Sequence, residues 1–216
     1  MMNFDVSNLI MVNPCRIDDE CYIRAMHAGG IIDKARIHQS FKDAVADMDY
    51  LVATSSIESL NDKRHLRKAV KVSDFAESIY DVQGKIGLIF GREDYGLFNE
   101  EIAVCDMLVK IPTSSAYPSL NISHAVGVVL YELYTHRVVK GKKTSKRELG
   151  RVEKEKLYEF FMLLLDAIDY PMHKRNNTMV MFRRLMGRAM PSKWEYHTLM
   201  GVLSESIRRI KQREQK

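Results

Sequence analysis

Ile86 to Tyr134 reads IGLIFGREDYGLFNEEIAVCDMLVKIPTSSAYPSLNISHAVGVVLYELY, and its pattern decides the fold. Two short apolar runs, Ile86 to Phe90 and Met107 to Ile111, end at Gly91 and Pro112 and read as buried strands. After the first comes Gly91-Arg-Glu-Asp-Tyr-Gly96, whose glycines can take positive φ and let a ligand approach the backbone. After the second comes Thr113 to Asn121, opening a helix in which Ile122, Val126, Val129, Leu130 and Leu133 recur at helical spacing. Loops at the carboxyl ends of parallel strands form the usual ligand crevice of an α/β sheet, so the site is expected here. The spacing is not GxGxxG, and no GxxxxGKS or GxxxxGKT phosphate loop occurs in the chain.

Towards the amino terminus the same alternation continues. Asn8 to Asn13 reads as a strand closed by Pro14, and Asp18 to His27 as a helix ended by Gly29-Gly30. Ser40 to Met48 starts with a Ser-x-x-Asp capping box, Asp49 to Thr54 is a strand, and Ser73 to Asp81 is a helix closed by Gly84. Strands and helices in alternation predict an α/β fold, a mostly parallel sheet with helices on both faces. The hydroxyls Thr54, Ser55 and Ser56 after the strand read equally as turn chemistry. Asn61 to Lys68 is a basic loop, either a solvated connection or a phosphate contact.

Beyond residue 140 the texture changes. Residues 141–150 form a basic linker around Gly141, and 151–216 read as a small helical domain distinct from 1–140. Its first helix, capped from Ser145-Lys-Arg-Glu148, carries Leu157, Phe160, Phe161, Leu164, Leu165 and Ile168 as a stripe and stops at Pro171. A second runs from about Thr178 to Ala189, and a third begins at the capping box Ser192-Lys-Trp-Glu195. The methionines and Trp194 are expected in the core, and the arginines of the second helix outward, where they would suit an RNA backbone or a plain soluble surface.

At 216 residues the chain can hold one sizeable α/β domain and a small appendage. A net charge of +5 makes a polyanionic partner plausible and by itself decides nothing. Cys15, Cys21 and Cys105 are odd in number and lack a CxxC, so neither a disulfide framework nor a zinc site is expected, and a reducing cytoplasm fits. No apolar run approaches the ~18 residues of a membrane span.

GREDYGL, a strand ending in Ile-Pro and SLNIS opening a long helix resemble the second and third motifs of the SPOUT methyltransferases. Length, linker and helical tail are similar to the TrmJ family within that superfamily. The resemblance implies a trefoil-knotted domain that binds S-adenosyl-L-methionine and methylates the ribose 2′-hydroxyl of nucleotide 32 in the tRNA anticodon loop. It implies cofactor contacts, largely through main-chain atoms, at Gly91, Ile111, Pro118, Ser119 and Leu120, with Thr54, Ser55, Ser56 and Gly96 around the pocket. Ser119, Asn121 and Glu93 match the family's active-site residues. On the residues alone, Ser119 or Asn121 could simply cap the helix, Glu93 could be a surface acid, and His124 is expected to be packed. No metal spacing is present. Tyr117-Pro118 departs from the bacterial form, which has a serine beside the catalytic serine. The resemblance also implies a cytoplasmic homodimer that grips tRNA between the catalytic face of one subunit and the basic helices of the other. Deleting Lys142 to Lys216 is accordingly expected to weaken tRNA binding and spare cofactor binding. Family members begin with a further strand and a PxNxGxxxR motif absent here, so the chain is expected to be a shortened form with weak transfer, in which Leu9 to Val12 lacks a neighbour. The alternatives are a catalytically weak or inactive RNA-binding protein of this fold, and a ribosomal RNA 2′-O-methyltransferase.

Overall fold

The computed structural model describes residues 1–56, 68–79, 82, 84–140 and 150–214. The basic loop expected over Asn61 to Lys68 lies outside the described residues except for its end, as do most of the linker and the cap expected at Ser145 to Glu148. Four strands, β3 (Tyr50–Thr54), β4 (Val70–Lys71), β5 (Ile86–Ile89) and β6 (Met107–Lys110), form a sheet in the order β4-β6-β3-β5, every pair parallel. Its two inner strands carry unbroken apolar runs because both faces are covered. Along β3, Tyr50 and Val52 join Val72, Phe75, Val109 and Val129 in one core, and Leu51 and Ala53 join Val45, Ile102 and Leu108 in the other. That division is the two-residue period of a strand. The first face is covered by α4 (Val72–Ser78) and α6 (Ile122–Lys140), the second by α3 (Phe41–Ala44) and α5 (Asn99–Ala103).

β1 (Ile10–Val12) pairs in parallel with β2 (Arg36–His38) as a separate two-stranded sheet. Between them the chain runs through α1 (Asp19–Ala25), a 3₁₀ turn and α2 (Gly29–Asp33), so Gly29-Gly30 opens a helix instead of ending one. Gly29 is right-handed helical, with φ −53° and ψ −35°, and the break is taken by Met26 at φ 51°.

The carboxyl-terminal helices α7 (Arg151–Ala167), α8 (Met172–Ala189) and α9 (Lys193–Glu214) close around Leu157 and Tyr196. Glu195 accepts from the Ser192 amide at 2.7 Å, and the Glu195 amide returns to the Ser192 hydroxyl at 3.4 Å, the reciprocal capping box. Two expectations reverse here. Trp194 is 75% exposed, whereas Arg184 is 2% exposed and donates to the Ile102 carbonyl at 2.8 Å. Position on the helix explains the exchange: Arg184 faces the base of the sheet, where the Ile102 carbonyl at the end of α5 accepts from the Cys105 amide at 3.2 Å and takes the guanidinium as a second donor. Trp194 stands in the first turn of α9, outside the cluster that Tyr196 joins.

The helical domain is bolted to the amino-terminal ends of β3 and β6. Asp106, 3% exposed, accepts from the Leu51 amide at 2.9 Å and from the Tyr158 hydroxyl at 3.4 Å, with the Lys154 ammonium at 3.0 Å. That ammonium is paired in charge but lies off the line a hydrogen bond requires, and it sits 4.6 Å from the Tyr50 ring centroid. The Tyr50 hydroxyl donates to the Gly187 carbonyl, and the Arg151 guanidinium to that of Val45.

Candidate active site

At the carboxyl ends of the strands, the loops after β5 and β6 and the residues Thr54, Ser55 and Ser56 at the end of β3 face one another across a cleft of 230 Å³. The loop after β5 is a tight hairpin. Arg92 and Gly96 exchange both backbone hydrogen bonds, at 3.1 and 2.9 Å, and Gly96 takes φ 65°. The Arg92 guanidinium is held by two bonds to Glu101, at 3.0 and 2.9 Å, and lies over the Phe98 ring at 4.4 Å. Partial burial pushes the Glu101 carboxyl up, but the Arg92 guanidinium and the Phe98 amide outweigh it and hold the group below the usual carboxylate range. Gly91 does not have positive φ; its missing side chain makes room for Gly96, whose backbone a β-carbon would meet at 2.2 Å. The expectation of two such glycines is therefore corrected to one, Gly96, beside which a β-carbon would meet open space.

The loop after β6 is fastened by the Thr113 hydroxyl, which donates to the Pro118 carbonyl at 3.0 Å, and by a turn in which the Tyr117 amide donates to the Ser114 carbonyl at 3.2 Å. It leads into α6, whose first amide, at Ile122, donates to Glu93 at 3.3 Å. A carboxylate from the β5 loop thus sits on the positive end of the longest helix in the sheet domain, tying two cleft walls together. The third wall comes from β3. The Thr54 hydroxyl donates to the Ile89 carbonyl at 3.0 Å, and the Ser119 hydroxyl approaches that of Ser56 at 3.5 Å.

Thr54, Ser55, Ser56, Gly91, Glu93, Gly96, Ile111, Pro118, Ser119 and Leu120 all line this cleft. Asn121 does not: it is exposed just outside, and its carbonyl accepts from the Ala125 amide at 2.9 Å. His124 is exposed, not packed, because the first turn of α6 projects beyond the sheet. Phe90, Asp94, Tyr95, Thr113 and Ala125 also line the cleft. Asp94 and Tyr95 lie within GREDYGL without being matched to a role, and Phe90, Thr113 and Ala125 share no spacing that would have singled them out. A larger cavity of 470 Å³ lies between the base of the sheet and α7 and α8, at the strands' other ends, lined by the Lys154 and Asp106 pair and sharing no described lining residue with the cleft.

Apolar walls at Phe90, Leu97, Val109 and Ile111 with hydroxyls and a close backbone at the rim suit a ligand having a flat heterocycle and a polar tail. Among the described residues no cluster of three or more His, Cys, Asp or Glu could hold a metal, and no helix is long and apolar enough to cross a membrane.

A parallel sheet with a hydroxyl-bearing cleft at its carboxyl edge and a helical appendage at its base defines an α/β ligand-binding domain, and known proteins share it. Residues 1–131 match the SpoU rRNA Methylase family. The tRNA (cytidine-2′-O-)-methyltransferase TrmJ of Methanocaldococcus jannaschii is 41% identical over 205 residues, 94% of this chain and 89% of that protein. The crystal structure of TrmJ from Z. mobilis ZM4 has a TM-score of 0.69 at 25% identity, with 95% of this chain and 89% of that one covered. A probable methylase family protein from Haemophilus influenzae Rd KW20 has a TM-score of 0.61 at 30% identity, covering 97% and 88%. The chain belongs to the SpoU methylase family and is a methyltransferase.

Proposed function

We propose that this enzyme transfers a methyl group from S-adenosyl-L-methionine to a ribose 2′-hydroxyl of tRNA, at nucleotide 32 of the anticodon loop, acting as a cytoplasmic homodimer. The observation that carries the reading is the meeting of Ser56, Glu93 and Ser119 in one cleft, in a chain similar over 94% of its length to a tRNA cytidine 2′-O-methyltransferase. That relative also points to cytidine as the base. The trefoil knot and the dimer enter from the family resemblance.

When bound, S-adenosyl-L-methionine supplies an electrophilic methyl group on a sulfonium. The chain's own tasks are to bind, to orient and to keep water away. Phe90, Val109 and Ile111 give an adenine apolar walls, and the backbones of Gly96, Pro118 and Leu120 offer its edge uncharged donors and acceptors. Ser55 and Ser56, which line the same cleft, would hold the polar end through their hydroxyls. In this reading Ser119 holds the ribose hydroxyl in line, and Asn121, exposed beside the cleft, contacts the same ribose or the next phosphate. Glu93 keeps the β5 loop and α6 in register, so cofactor and substrate walls move together.

Calorimetry with S-adenosylmethionine and S-adenosylhomocysteine, followed by transfer of a labelled methyl group to a tRNA transcript with the modified nucleotide mapped, tests the proposal. Ser119→Ala should lower kcat about a hundredfold or more with cofactor affinity within a few-fold. No cofactor binding, methylation of a base instead of a ribose, or an unchanged rate for Ser119→Ala would overturn it.

A further inference from the structure

Two tyrosines on the loops that carry the cleft make no side-chain hydrogen bond and no ring contact among the described residues. Tyr95 lines the cleft from the tip of the β5 loop, and Tyr117 lies directly before Pro118 and Ser119 in the β6 loop. Each is 78% exposed. Large rings held this far into water contribute little to stability, since most of their apolar area stays hydrated.

Their supports are firm. Tyr95 sits inside the hairpin closed by both Arg92–Gly96 backbone bonds and braced by the Arg92–Glu101 pair. Tyr117 is the last residue of the Ser114 turn, whose hydroxyl also accepts from the Ala116 amide at 3.2 Å, and the ring of Pro118 follows it. Both rings are therefore presented by loops that lose little freedom when something stacks on them, the condition under which an aromatic side chain makes a good anchor.

Building on the proposed reaction, we infer that Tyr95 and Tyr117 are stacking platforms for the nucleobases on either side of the target ribose. To bring a 2′-hydroxyl to Ser119 the enzyme must reach one nucleotide among neighbours. In a duplex those neighbours are stacked on one another, whereas in a loop they can be splayed out onto aromatic faces. Tyrosine stacking is tolerant of base identity, so the pair would select an open loop without reading its sequence.

The test uses the full chain with Tyr95→Ala, Tyr117→Ala and the corresponding phenylalanine variants. A labelled tRNA transcript reports the dissociation constant, turnover reports KM and kcat, and calorimetry reports S-adenosylmethionine affinity. Each alanine should raise the tRNA dissociation constant and KM about tenfold, within the range that losing one stacked base produces. Each phenylalanine should remain near the parent, cofactor affinity should change far less than tRNA affinity, and the mass by light scattering should not change. A hairpin oligonucleotide should compete with tRNA, and a blunt duplex of the same composition should not.

Alanine variants with unchanged tRNA binding would overturn the inference, as would equal loss in the phenylalanine variants or a duplex that competes equally. A change in oligomeric mass without loss of RNA affinity would show instead that the rings contact a second copy. Because RNA binding is read without turnover, absence of methyl transfer by the parent would count against the proposed reaction and leave the stacking test to its own result.

Discussion

A β-carbon at Gly91 would come within 2.2 to 2.5 Å of the backbone of Gly96 and Leu97, and no side-chain rotation can relieve a collision between backbones. Gly91→Ala should therefore open the hairpin that carries Glu93 and Tyr95 and abolish S-adenosylmethionine binding in calorimetry. Gly96→Ala meets open space and bears only the left-handed strain, on the order of 1 kcal/mol. If both alanines bind cofactor equally well, the hairpin is not the cleft wall it is taken to be here. A second residue-level expectation concerns Cys105, whose thiol donates to the Glu101 carbonyl at 3.1 Å. Burial pushes its pKa up to about 12, so at pH 8 roughly one thiol in 10⁴ is ionised and reactive. Alkylation followed by mass spectrometry should modify exposed Cys15 quickly and leave Cys105 untouched in the native protein. Modification of both at similar rates would show that the α5 face opens readily.

The β5 hairpin and α5 act as one element because Arg92 and Glu101 join them, and this gives the element a pH dependence of known sign. A carboxyl held below its ordinary value contributes stability that is fully present above the unfolded value of about 4.3 and is lost as pH falls through the folded one. Thermal midpoints should accordingly fall in acid more steeply for the parent than for Glu101→Gln, with the curves running parallel above about pH 6. Parallel curves throughout would mean that the pair contributes nothing. The same element shows what can be read from a sequence. GREDYG marked a loop and a ligand wall, but the Arg92–Glu101 bond spans nine positions and crosses from loop to helix, so no periodicity announces it. Strands β3, β5 and β6 were legible because burial on both faces demands unbroken apolar runs. Arg36–His38 and Val70–Lys71 were not, since such short, polar segments become strands only when a neighbour offers its free backbone groups. Of the cleft residues, those the resemblance matched one by one were legible, whereas Asp94 and Tyr95 inside GREDYGL, and Phe90, Thr113 and Ala125 outside the motifs, came into view as lining only with the cleft assembled.

Across the whole molecule, the cleft and the helical domain occupy opposite ends of the same two strands. Five residues of β3 separate them by roughly 16 Å, so the tail of one chain supports the catalytic domain from below while that chain's own cleft opens away from it. Sequence periodicity located α7, α8 and α9 but not this contact, which is made by polar residues: Lys154 and Arg184 are buried cations on helices whose patterns assign them to solvent. A tail read as a separate module should be removable, and deleting Lys142 to Lys216 was expected to spare cofactor binding. The structure predicts a cost, because the deletion would strip Asp106 of its cation and remove the Gly187 carbonyl that accepts from the Tyr50 hydroxyl and the Arg184 guanidinium that donates to the Ile102 carbonyl. Two side-chain changes test the same contact with the chain intact. Lys154→Met leaves the buried Asp106 carboxylate without its ammonium, a loss of roughly 3–5 kcal/mol for a broken buried pair. In a chain this size that lowers the thermal midpoint by on the order of 10 °C. Adding Asp106→Asn to Lys154→Met removes the stranded charge while an amide oxygen can still accept from the Leu51 amide, so the double variant should recover much of the midpoint. S-adenosylmethionine affinity at 25 °C should stay near the parent's in both variants, since the cleft lies at the far ends of the strands. Equal midpoints for the parent and Lys154→Met would show that the ammonium contributes no stability, and a double variant less stable than the single one would show that Asp106 matters through its hydrogen bonds alone.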